Sequence, residues 1–345
     1  MPSIVKPRVA HPSLARNEIG LTFRDYEGSM STLCAGCGHD SITAAITRAF
    51  WELSTPPHMI AKMSGIGCSS KTPTYFVGGA HGFNSAHGRM PAIATGANAA
   101  NRELTYIGIS GDGDSLSIGL GHLCHAIRRN LNMLYVIENN GVYGLTKGQF
   151  SASSDPGSKS KKGDTNRLQP IDPAVLALSL GASFVARAFS GDKQQLVPIL
   201  KAGLAHQGFA IVDVISPCVT FNDHEGSTKS YLYTRQHLHA GFVPPAKEIL
   251  TEISPSGSTK ITMHDGSALS FSKVPTEYDP TDRLSAMAYL KAHEGEIVTG
   301  ILYQEEASAD IHERNKTPAT ALAKLPFEKL CPGSAELDRL METFR

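Results

Sequence analysis

The chain has 345 residues, of which 41% are hydrophobic, and its 32 Lys and Arg residues balance its 32 Asp and Glu residues. This length and composition predict one large or two modest domains with a substantial core. The sequence has no basic patch with interleaved aromatic residues and no apolar run of membrane length. These features argue against a nucleic-acid-binding or membrane-spanning protein.

The N-terminal segment indicates a cytoplasmic protein, and this location decides how the cysteines are interpreted. Residues 1–20 lack the apolar core of a secretory signal. Six cysteines in a long cytoplasmic chain favour metal binding or catalysis over disulfide bonds.

The first part of the chain combines a polar arm, a cysteine-containing turn and a helix. Residues 1–30 are polar with scattered prolines, which predicts an arm that lies over a surface or a partner. Cys34 and Cys37 form a C-x-x-C pair in a glycine-rich turn. Apolar residues of helical period then predict a helix that Asp40 or Ser41 caps.

A second cysteine-bearing loop follows a short strand. The apolar run Met59–Met63 predicts this strand, and the glycine-rich loop after it carries Cys68. The segment from this loop to His87 is rich in Gly and His and is predicted to be a loop. Pro91 then begins a helix that ends at Ala100.

The centre of the sequence is a strand–helix–strand unit. The apolar run Thr105–Ser110 predicts a buried strand, and Asp112 follows it between two glycines. A segment of helical period leads to a second apolar strand, Met133–Ile137, which is followed by an Asn-Asn pair at 139–140. Both polar motifs therefore lie at the carboxyl ends of strands, where open α/β sheets bind ligands.

The residue types at these two strand ends indicate a metal–diphosphate site. The glycines beside Asp112 let the backbone approach a bulky anion, and the following helix directs unpaired N–H groups at a phosphate. A carboxylate close to the carboxamide of Asn140 suits a hard divalent cation such as Mg²⁺. The alternative is that both motifs are turns that merely cap their strands.

After a long polar loop the alternation continues to about residue 230. Residues 147–170 predict a loop that is mobile on its composition, either a functional lid or a disordered excursion. The elements predicted next are a helix at Pro173–Leu180, a strand at Ser183–Ala188, a helix at Asp192–His206 and a strand at Phe209–Ile215. This alternation predicts an α/β fold with a doubly wound, mostly parallel sheet.

Residues 231–345 predict a C-terminal extension that packs on the main domain or on a partner. Its pattern includes a hairpin or two short strands around Asp265-Gly266 and a helix with Asp282 near its cap. The predicted organisation is therefore an arm at 1–30, a metal–diphosphate-binding domain at 31–230 and this extension.

Four cysteines are placed where they can converge. Cys68 and Cys218 each follow a strand, so they lie on the same edge of a parallel sheet as the metal–diphosphate motifs. With the C-x-x-C pair they supply four thiolates, which suit tetrahedral zinc or an iron–sulfur cluster. The alternatives are a redox pair of thioredoxin type and four buried structural thiols. Cys124 and Cys331 are interpreted as core or surface thiols.

The spacing of the GDG and NN motifs resembles the thiamine diphosphate signature of thiamine-dependent enzymes. The 25 residues 114–138 separate the two motifs. In that family the Asp of GDG, the second Asn and a backbone carbonyl two residues later hold Mg²⁺, and these positions are Asp112, Asn140 and Val142 here. The resemblance implies a thiamine diphosphate-binding domain of the pyrophosphate type.

Six motifs together resemble the β subunit of 2-oxoacid:ferredoxin oxidoreductases over about residues 30–230. They are CAGCGH at 34–39, GIGCSSK at 65–71, HGR at 87–89, GDGDSLSIG at 111–119, YGLTKGQ at 143–149 and SPCVTFND at 216–223. The resemblance implies that Cys34, Cys37, Cys68 and Cys218 hold one [4Fe–4S] cluster beside thiamine diphosphate. The family's usual C-P-G-C-G is C-A-G-C-G here, a change outside the cluster ligands.

The resemblance also implies roles for residues around the cofactor. The implied cofactor contacts are Gly67, Ser69, Gly111, Asp112, Gly113, Asp114, Asn140, Val142, Leu145 and Thr146. The implied catalytic residues are His87, Arg89, Lys71 and Lys147, of which the two lysines bind substrate carboxylates. Each role has an alternative. Asp114 could instead cap a helix, and the histidine and arginine could lie in an exposed turn. Each lysine could be a solvated surface charge.

The family's reaction converts a 2-oxoacid and coenzyme A to acyl-CoA and carbon dioxide, with electrons passing from thiamine diphosphate through the cluster to ferredoxin. The YGLTKGQ segment resembles two-subunit 2-oxoglutarate enzymes more than pyruvate enzymes. The favoured reaction is therefore 2-oxoglutarate to succinyl-CoA, or its reverse, a reductive carboxylation.

This chain has a single doubly wound unit, so the pyrimidine-binding domain and its glutamate are expected on an α subunit of an α2β2 assembly. The chain alone is expected to be inactive.

Three alternatives stay open. The first is a β subunit for pyruvate or for a broad range of 2-oxoacids. The second is a non-oxidative thiamine diphosphate-dependent decarboxylase or synthase, which needs no cluster. The third is a zinc-bound assembly or regulatory subunit with no catalysis of its own. Iron and sulfide content and thiamine diphosphate occupancy distinguish the oxidoreductase from the second and third alternatives.

Overall fold

A computed structural model describes residues 11–160, 163–240, 259–262, 268–271 and 278–345. Its strands are β1 (Ile60–Ser64), β2 (His81–Asn84), β3 (Thr105–Gly111), β4 (Met133–Asn139), β5 (Val142–Tyr143), β6 (Gln149–Phe150), β7 (Phe184–Phe189), β8 (Phe209–Ile215), β9 (Leu238–Ala240), β10 (Thr259–Thr262), β11 (Ala268–Phe271) and β12 (Ile297–Gln304). Its helices are α1 (Gly38–Glu52), α2 (Thr72–Tyr75), α3 (Met90–Ala100), α4 (Leu120–Arg128), α5 (Pro173–Leu180), α6 (Lys193–Ala205), α7 (Tyr231–His237), α8 (Arg283–Ala292), α9 (Ile311–Asn315), α10 (Phe327–Leu330) and α11 (Ser334–Glu342).

In the described ranges, eight strands form one sheet in the order β2-β1-β3-β4-β8-β7-β12-β9. Neighbouring strands run parallel, except that β12 is antiparallel to β7. The prediction of an α/β fold with a doubly wound, mostly parallel sheet is confirmed.

The central strands are covered on both faces. Every residue of β4 and β8 is buried, and both strands are nearly continuous apolar runs, as is typical of parallel strands between two helical layers. Helices α1 and α6 pack on each other on one face. Helices α3, α4, α5 and α8 contact one another in series on the other face. The hydrophobic core therefore lies on both faces of the sheet, between the strands and the helices that cover each face.

Several predicted elements are confirmed at the residue level. The two strands of the central unit are β3 and β4, and the helix between them is α4 with Leu123 and Ile127 buried. A short π-helix, Asp114–Ile118, precedes that helix. Asp192 and Asp282 accept backbone N–H groups at the starts of α6 and α8, as caps do.

Two local predictions are wrong. The segment before His87 contains α2 and the strand β2, whose four residues are all exposed. Strand β2 is held by backbone pairing to β1 at the sheet edge, so it shows no apolar alternation. Helix α1 begins at Gly38, ahead of the predicted caps: Cys37 takes the cap position without a side-chain hydrogen bond, and Gly38 N donates to Pro217 O.

The C-terminal segment contributes to the same sheet. Strand β12 extends the sheet beside β7. Strands β10 and β11 form the predicted antiparallel hairpin, although its turn at Asp265-Gly266 lies outside the described residues. In the predicted arm, residues 1–10 also lie outside them, while Asn17 contacts the carbonyl of Trp51 on α1. No helix in the described ranges has both the length and the apolar character needed to cross a membrane.

Candidate active site

Four adjacent parallel strands present their carboxyl ends at one edge of the sheet. These strands are β1, β3, β4 and β8, in that spatial order. The motifs at their ends are GIGC at 65–68, GDG at 111–113, the Asn pair at 139–140 and SPC at 216–218. The prediction that the cysteine-bearing loops meet the GDG and NN motifs at one edge is confirmed.

A cleft opens at this edge. All ten predicted cofactor contacts line it, namely Gly67, Ser69, Gly111, Asp112, Gly113, Asp114, Asn140, Val142, Leu145 and Thr146. His87 and Cys68 line it too. The other predicted catalytic residues, Lys71, Arg89 and Lys147, are not part of this lining. Lys147 is exposed and has a φ of 80°.

Hydrogen bonds join the residues predicted to bind the cation. Asp112 is buried, and its Oδ1 accepts the backbone N–H of Asn140 at 3.4 Å. The amide oxygen of Asn140 accepts the N–H of Val142 at 3.1 Å, which closes a tight turn. Burial raises the pKa of Asp112, while the hydroxyls of Ser151 and Ser153 oppose that rise. A carboxylate, an amide oxygen and a backbone carbonyl are donors that fit Mg²⁺.

Residues 151–154 differ from the mobile loop predicted on composition. Ser151, Ser153 and Ser154 are buried. The hydroxyls of Ser151 and Ser153 donate to Asp112 Oδ2, and that of Ser154 contacts the Gly141 carbonyl. This part of the loop is therefore packed against the predicted cation ligands.

Asp114 joins the loops around the cleft. Its carboxylate accepts the Gly88 N–H at 2.7 Å, the Ser110 hydroxyl at 2.7 Å and the Ile66 N–H at 3.3 Å, and it contacts His87 Nδ1. It does not cap the following helix, where Gly113 and Gly119 take the cap positions. The carboxylate therefore ties three loops together.

Two buried residues of the cleft were missed by the sequence analysis. His39 Nδ1 lies 2.6 Å from Ser216 Oγ and 3.5 Å from Glu138 Oε2. The carboxylate of Glu138 also accepts the Thr72 hydroxyl at 3.0 Å. Burial lowers the pKa of His39 to about 4 and raises that of Glu138 well above its usual range. Burial thus disfavours a charge on either partner, and the contact is not a pair of full charges.

A signal for both residues was present in the sequence. His39 ends the CAGCGH motif, and Glu138 directly precedes the Asn pair. The sequence alone does not reveal that the side chains of His39 and Glu138 are buried in the cleft.

The four cysteines of the predicted cluster lie in one region. A Cβ atom on Gly144 would lie 3.5 Å from Cys68 Sγ and 3.7 Å from Cys218 Sγ, so these sulfur atoms flank the Gly144 backbone. Burial raises the pKa of Cys37 to about 12, and Cys218 adds to that rise. Burial also raises the pKa of Cys68, with contributions from Cys218 and Cys34.

These thiols do not form a ready-made site for a single ion. Among the described residues, no three His, Cys, Asp or Glu side chains are grouped to hold one metal ion. Cys34 is exposed, and its sulfur accepts the Thr220 hydroxyl at 3.6 Å. Four thiolates around one edge match the donor set of a [4Fe–4S] cluster, in which each thiolate binds a different iron atom.

Two family models match this chain. The first, described as "Thiamine pyrophosphate enzyme, C-terminal TPP binding domain", covers residues 65–214. The second describes the C-terminal part of the pyruvate ferredoxin oxidoreductase beta subunit and matches residues 270–318. The fold is thus that of a thiamine diphosphate-binding domain.

Curated relatives specify the class further. The 2-oxoacid:ferredoxin oxidoreductase 1 subunit beta of Aeropyrum pernix is 46% identical over 56% of this chain and 60% of that protein. The 2-oxoglutarate oxidoreductase subunit KorB of Mycobacterium tuberculosis is 44% identical over 55% of this chain and 51% of that protein. The 2-oxoglutarate synthase subunit KorB of Methanothermobacter marburgensis is 35% identical over 57% of this chain and 69% of that protein. The chain thus spans between 51% and 69% of the length of these relatives.

A solved structure agrees with these relatives. It is that of 2-oxoglutarate:ferredoxin oxidoreductase from Magnetococcus marinus with 2-oxoglutarate, coenzyme A and succinyl-CoA bound. It is 30% identical, with a TM-score of 0.72 over 89% of this chain and 92% of that chain. The chain belongs to the family of 2-oxoacid:ferredoxin oxidoreductase β subunits.

Proposed function

We propose that this chain catalyses, with an α subunit, the oxidative decarboxylation of a 2-oxoacid with coenzyme A and passes the electrons to ferredoxin. One observation carries the proposal. The ten predicted cofactor contacts line a single cleft, and Cys68 shares that lining. A thiamine diphosphate in this cleft would therefore lie beside the ligands of an electron acceptor.

Asp112, Asn140 and the Val142 carbonyl would hold Mg²⁺, which in turn binds the diphosphate. Bound thiamine diphosphate supplies the electron sink for decarboxylation. Gly111 and Gly113 would lie beside the diphosphate, and a Cβ on Gly113 would lie 2.5 Å from the Tyr143 ring, so the close packing of this loop requires glycine there. We also propose that Gly67, Ser69, Leu145 and Thr146 contact the cofactor, because all four line the cleft. Asp114 would act by fixing the loops, because protein donors already occupy its carboxylate.

Cys34, Cys37, Cys68 and Cys218 would hold the [4Fe–4S] cluster, which accepts electrons singly. Their convergence supports this assignment, as does the space that Gly144 leaves between two of the sulfur atoms. A thiol must lose its proton to bind iron as a thiolate, so the raised pKa of Cys37 means that cluster binding releases a proton there.

The substrate that we propose is 2-oxoglutarate, converted to succinyl-CoA or formed from it by the reverse reaction. His87 lies in the cleft, and we propose that it and Arg89 act on the substrate. Lys71 and Lys147 would bind its carboxylates. Lys147 is exposed, and its left-handed backbone is a conformation that non-glycine residues rarely adopt unless the surroundings require it. Two of the relatives and the solved structure carry 2-oxoglutarate in their names, which supports this choice.

The partners proposed are an α subunit in an α2β2 assembly, and ferredoxin. The α subunit would carry the pyrimidine-binding domain with the glutamate that activates the cofactor. Free cysteines as cluster ligands need a reducing compartment, which supports the cytoplasm as the location.

The test is anaerobic purification with the co-purifying partner, followed by assays for iron, acid-labile sulfide and thiamine diphosphate. Roughly four irons and one thiamine diphosphate per chain are expected. Replacing any of Cys34, Cys37, Cys68 or Cys218 by Ser should abolish cluster binding. The matched controls Cys124→Ser and Cys331→Ser should leave it unchanged. Zinc in place of iron would contradict the proposal, and bleaching of the cluster by pyruvate but not by 2-oxoglutarate would contradict the substrate.

A further inference from the structure

The two carboxylate oxygens of Asp112 have different surroundings. Oδ2 accepts the hydroxyls of Ser151 and Ser153, the latter at 2.7 Å. Within the described part of the chain, Oδ1 accepts one hydrogen bond, from the Asn140 N–H at the long distance of 3.4 Å. A carboxylate oxygen has two lone pairs, so two hydroxyl donors engage Oδ2 fully. Oδ1 is therefore the oxygen with capacity for a cation.

The serine hydroxyls are held firmly in place. Ser153 is 2% exposed, and its hydroxyl also lies 2.9 Å from the amide oxygen of Asn139. A hydroxyl carries one proton, so it donates to the closer carboxylate oxygen. The Ser151 N–H donates to Ser154 Oγ at 2.8 Å, which fixes the start of the segment.

A buried network extends behind these serines and orients Asn139. The Asn139 amide donates to Asp213 Oδ1 at 2.9 Å, and Arg187 Nε donates to Asp213 Oδ2 at 2.9 Å. Arg187 also bonds to Asp172, which caps α5. Because the amide nitrogen of Asn139 is engaged in this way, its oxygen faces Ser153. The network therefore fixes the orientation of Asn139, against which Ser153 packs.

We propose that Ser151 and Ser153 are positioning residues that make Asp112 bind its cation through Oδ1 alone and thereby favour Mg²⁺ over Ca²⁺. This inference rests on the proposed function, because it requires the Mg²⁺–thiamine diphosphate site. Mg²⁺ demands a near-octahedral shell at about 2.0–2.1 Å, which a carboxylate meets with one oxygen. Ca²⁺ takes about 6–8 oxygens at about 2.3–2.6 Å and often uses both oxygens of a carboxylate. Fixing Oδ2 to two serines removes that second ligand.

The test uses the complex of this chain with its α subunit, stripped of divalent cations under anaerobic conditions. Retention of thiamine diphosphate is measured while Mg²⁺ or Ca²⁺ is added to the wild type and to the Ser151→Ala/Ser153→Ala double variant. We expect the double variant to need more Mg²⁺. The ratio of half-saturating Ca²⁺ to half-saturating Mg²⁺ should fall by about tenfold, the effect of losing hydrogen bonds to a charged group.

Three further variants keep the inference falsifiable if the double variant does not assemble. Ser153→Ala should lower the ratio partly, and Ser153→Thr, which keeps the hydroxyl, should restore it. Ser158→Ala is the matched control, because this half-buried serine of the same loop donates its hydroxyl to Asp155 O at 2.7 Å and not to Asp112. An unchanged ratio in the Ser151 and Ser153 variants, or an equal fall in Ser158→Ala, would overturn the inference while leaving the proposed function intact. Retention without any divalent cation in the wild type would instead overturn the metal site itself, and the inference with it.

Discussion

His39 Nδ1 lies 2.6 Å from Ser216 Oγ, and both residues are buried. His39 follows Cys37 by two residues, and Ser216 precedes Cys218 by two residues. Beside this contact, Gly38 N donates to Pro217 O at 3.3 Å. The segments that carry two of the proposed cluster ligands are therefore fixed to each other by bonds that do not involve the cysteines.

Ser216→Ala tests this link. The substitution leaves the buried nitrogen of His39 without its hydroxyl partner, at a cost of about 1–3 kcal/mol. We expect less iron and sulfide per chain after anaerobic purification, and faster loss of iron to a chelator. Ser179→Ala is the control, since this exposed serine only contacts Val175 O in its own helix. Equal rates of iron loss in both variants would show that the link does not support the cluster.

Gly65→Ala tests the role of Asp114. A Cβ at residue 65 would lie 1.7 Å from Asp114 Oδ2, so the carboxylate or its loops must move. We expect the affinity for thiamine diphosphate, measured by equilibrium dialysis in the presence of Mg²⁺, to fall by about tenfold or more, since loops that Asp114 ties together line the cleft.

Gly121→Ala is the matched control for this substitution. This glycine lies in α4 with open space around its Cβ position, so alanine should keep cofactor affinity and stabilise the helix by about 0.5–1 kcal/mol. If Gly65→Ala bound thiamine diphosphate as tightly as Gly121→Ala, the loop-fixing role of Asp114 would be refuted.

The strands around the site were predictable from local pattern, and its contacts were not. β3 and β4 are apolar runs flanked by polar motifs, so both their burial and their ends could be read from the sequence. The hydroxyls that hold Asp112 come from 39 and 41 residues away in sequence. Local composition around them is polar, and only tertiary packing makes Ser151 and Ser153 buried.

The errors have a similar origin. Strand β2 has exposed residues throughout and is defined by backbone pairing with β1, which leaves no periodic signal. The start of α1 is set by contact with the loop after β8 and not by a capping side chain. Both features depend on segments that are distant in the chain.

Lys62 provides a test of pH dependence away from the cleft. Its ammonium donates to Phe76 O at 2.6 Å and to Val77 O at 2.9 Å, and burial lowers its pKa from 10.5 to about 8. Between these values the unfolded chain binds a proton that the folded chain has lost, so this group makes stability rise with pH. The contribution is present above the unfolded pKa and is lost as the pH falls through about 8. Its size is about 3 kcal/mol.

Lys62→Met should remove this dependence. Urea denaturation gives the unfolding free energy of each protein. The value for the variant minus the value for the wild type should decrease by about 3 kcal/mol from about pH 8 to about pH 10.5, because only the wild type becomes more stable. Between about pH 6 and 7 the difference should stay constant, because both states keep the proton there. Parallel stability curves across the alkaline range would contradict the lowered pKa of Lys62.

Lys147→Gln tests the proposed recognition of a second carboxylate. Lys147 is exposed at the turn after β5, where its backbone N–H bonds to Gly144 O at 3.1 Å. A hydrogen bond to a charged group contributes about 1.5–3 kcal/mol, so its loss should raise KM for 2-oxoglutarate by about tenfold or more. Pyruvate has no second carboxylate, and any activity with it should change little. The measurement is the rate of ferredoxin reduction by the assembled enzyme with each acid.

Lys159→Gln is the matched control, since this exposed lysine lies in the same polar loop and pairs by its backbone with Thr165. It should leave KM for 2-oxoglutarate unchanged. A general salt or surface-charge effect would shift both lysine variants alike, whereas recognition of the carboxylate shifts only Lys147→Gln. If that variant lost activity equally with both acids, Lys147 would act on a feature that they share, such as the carboxylate next to the keto group.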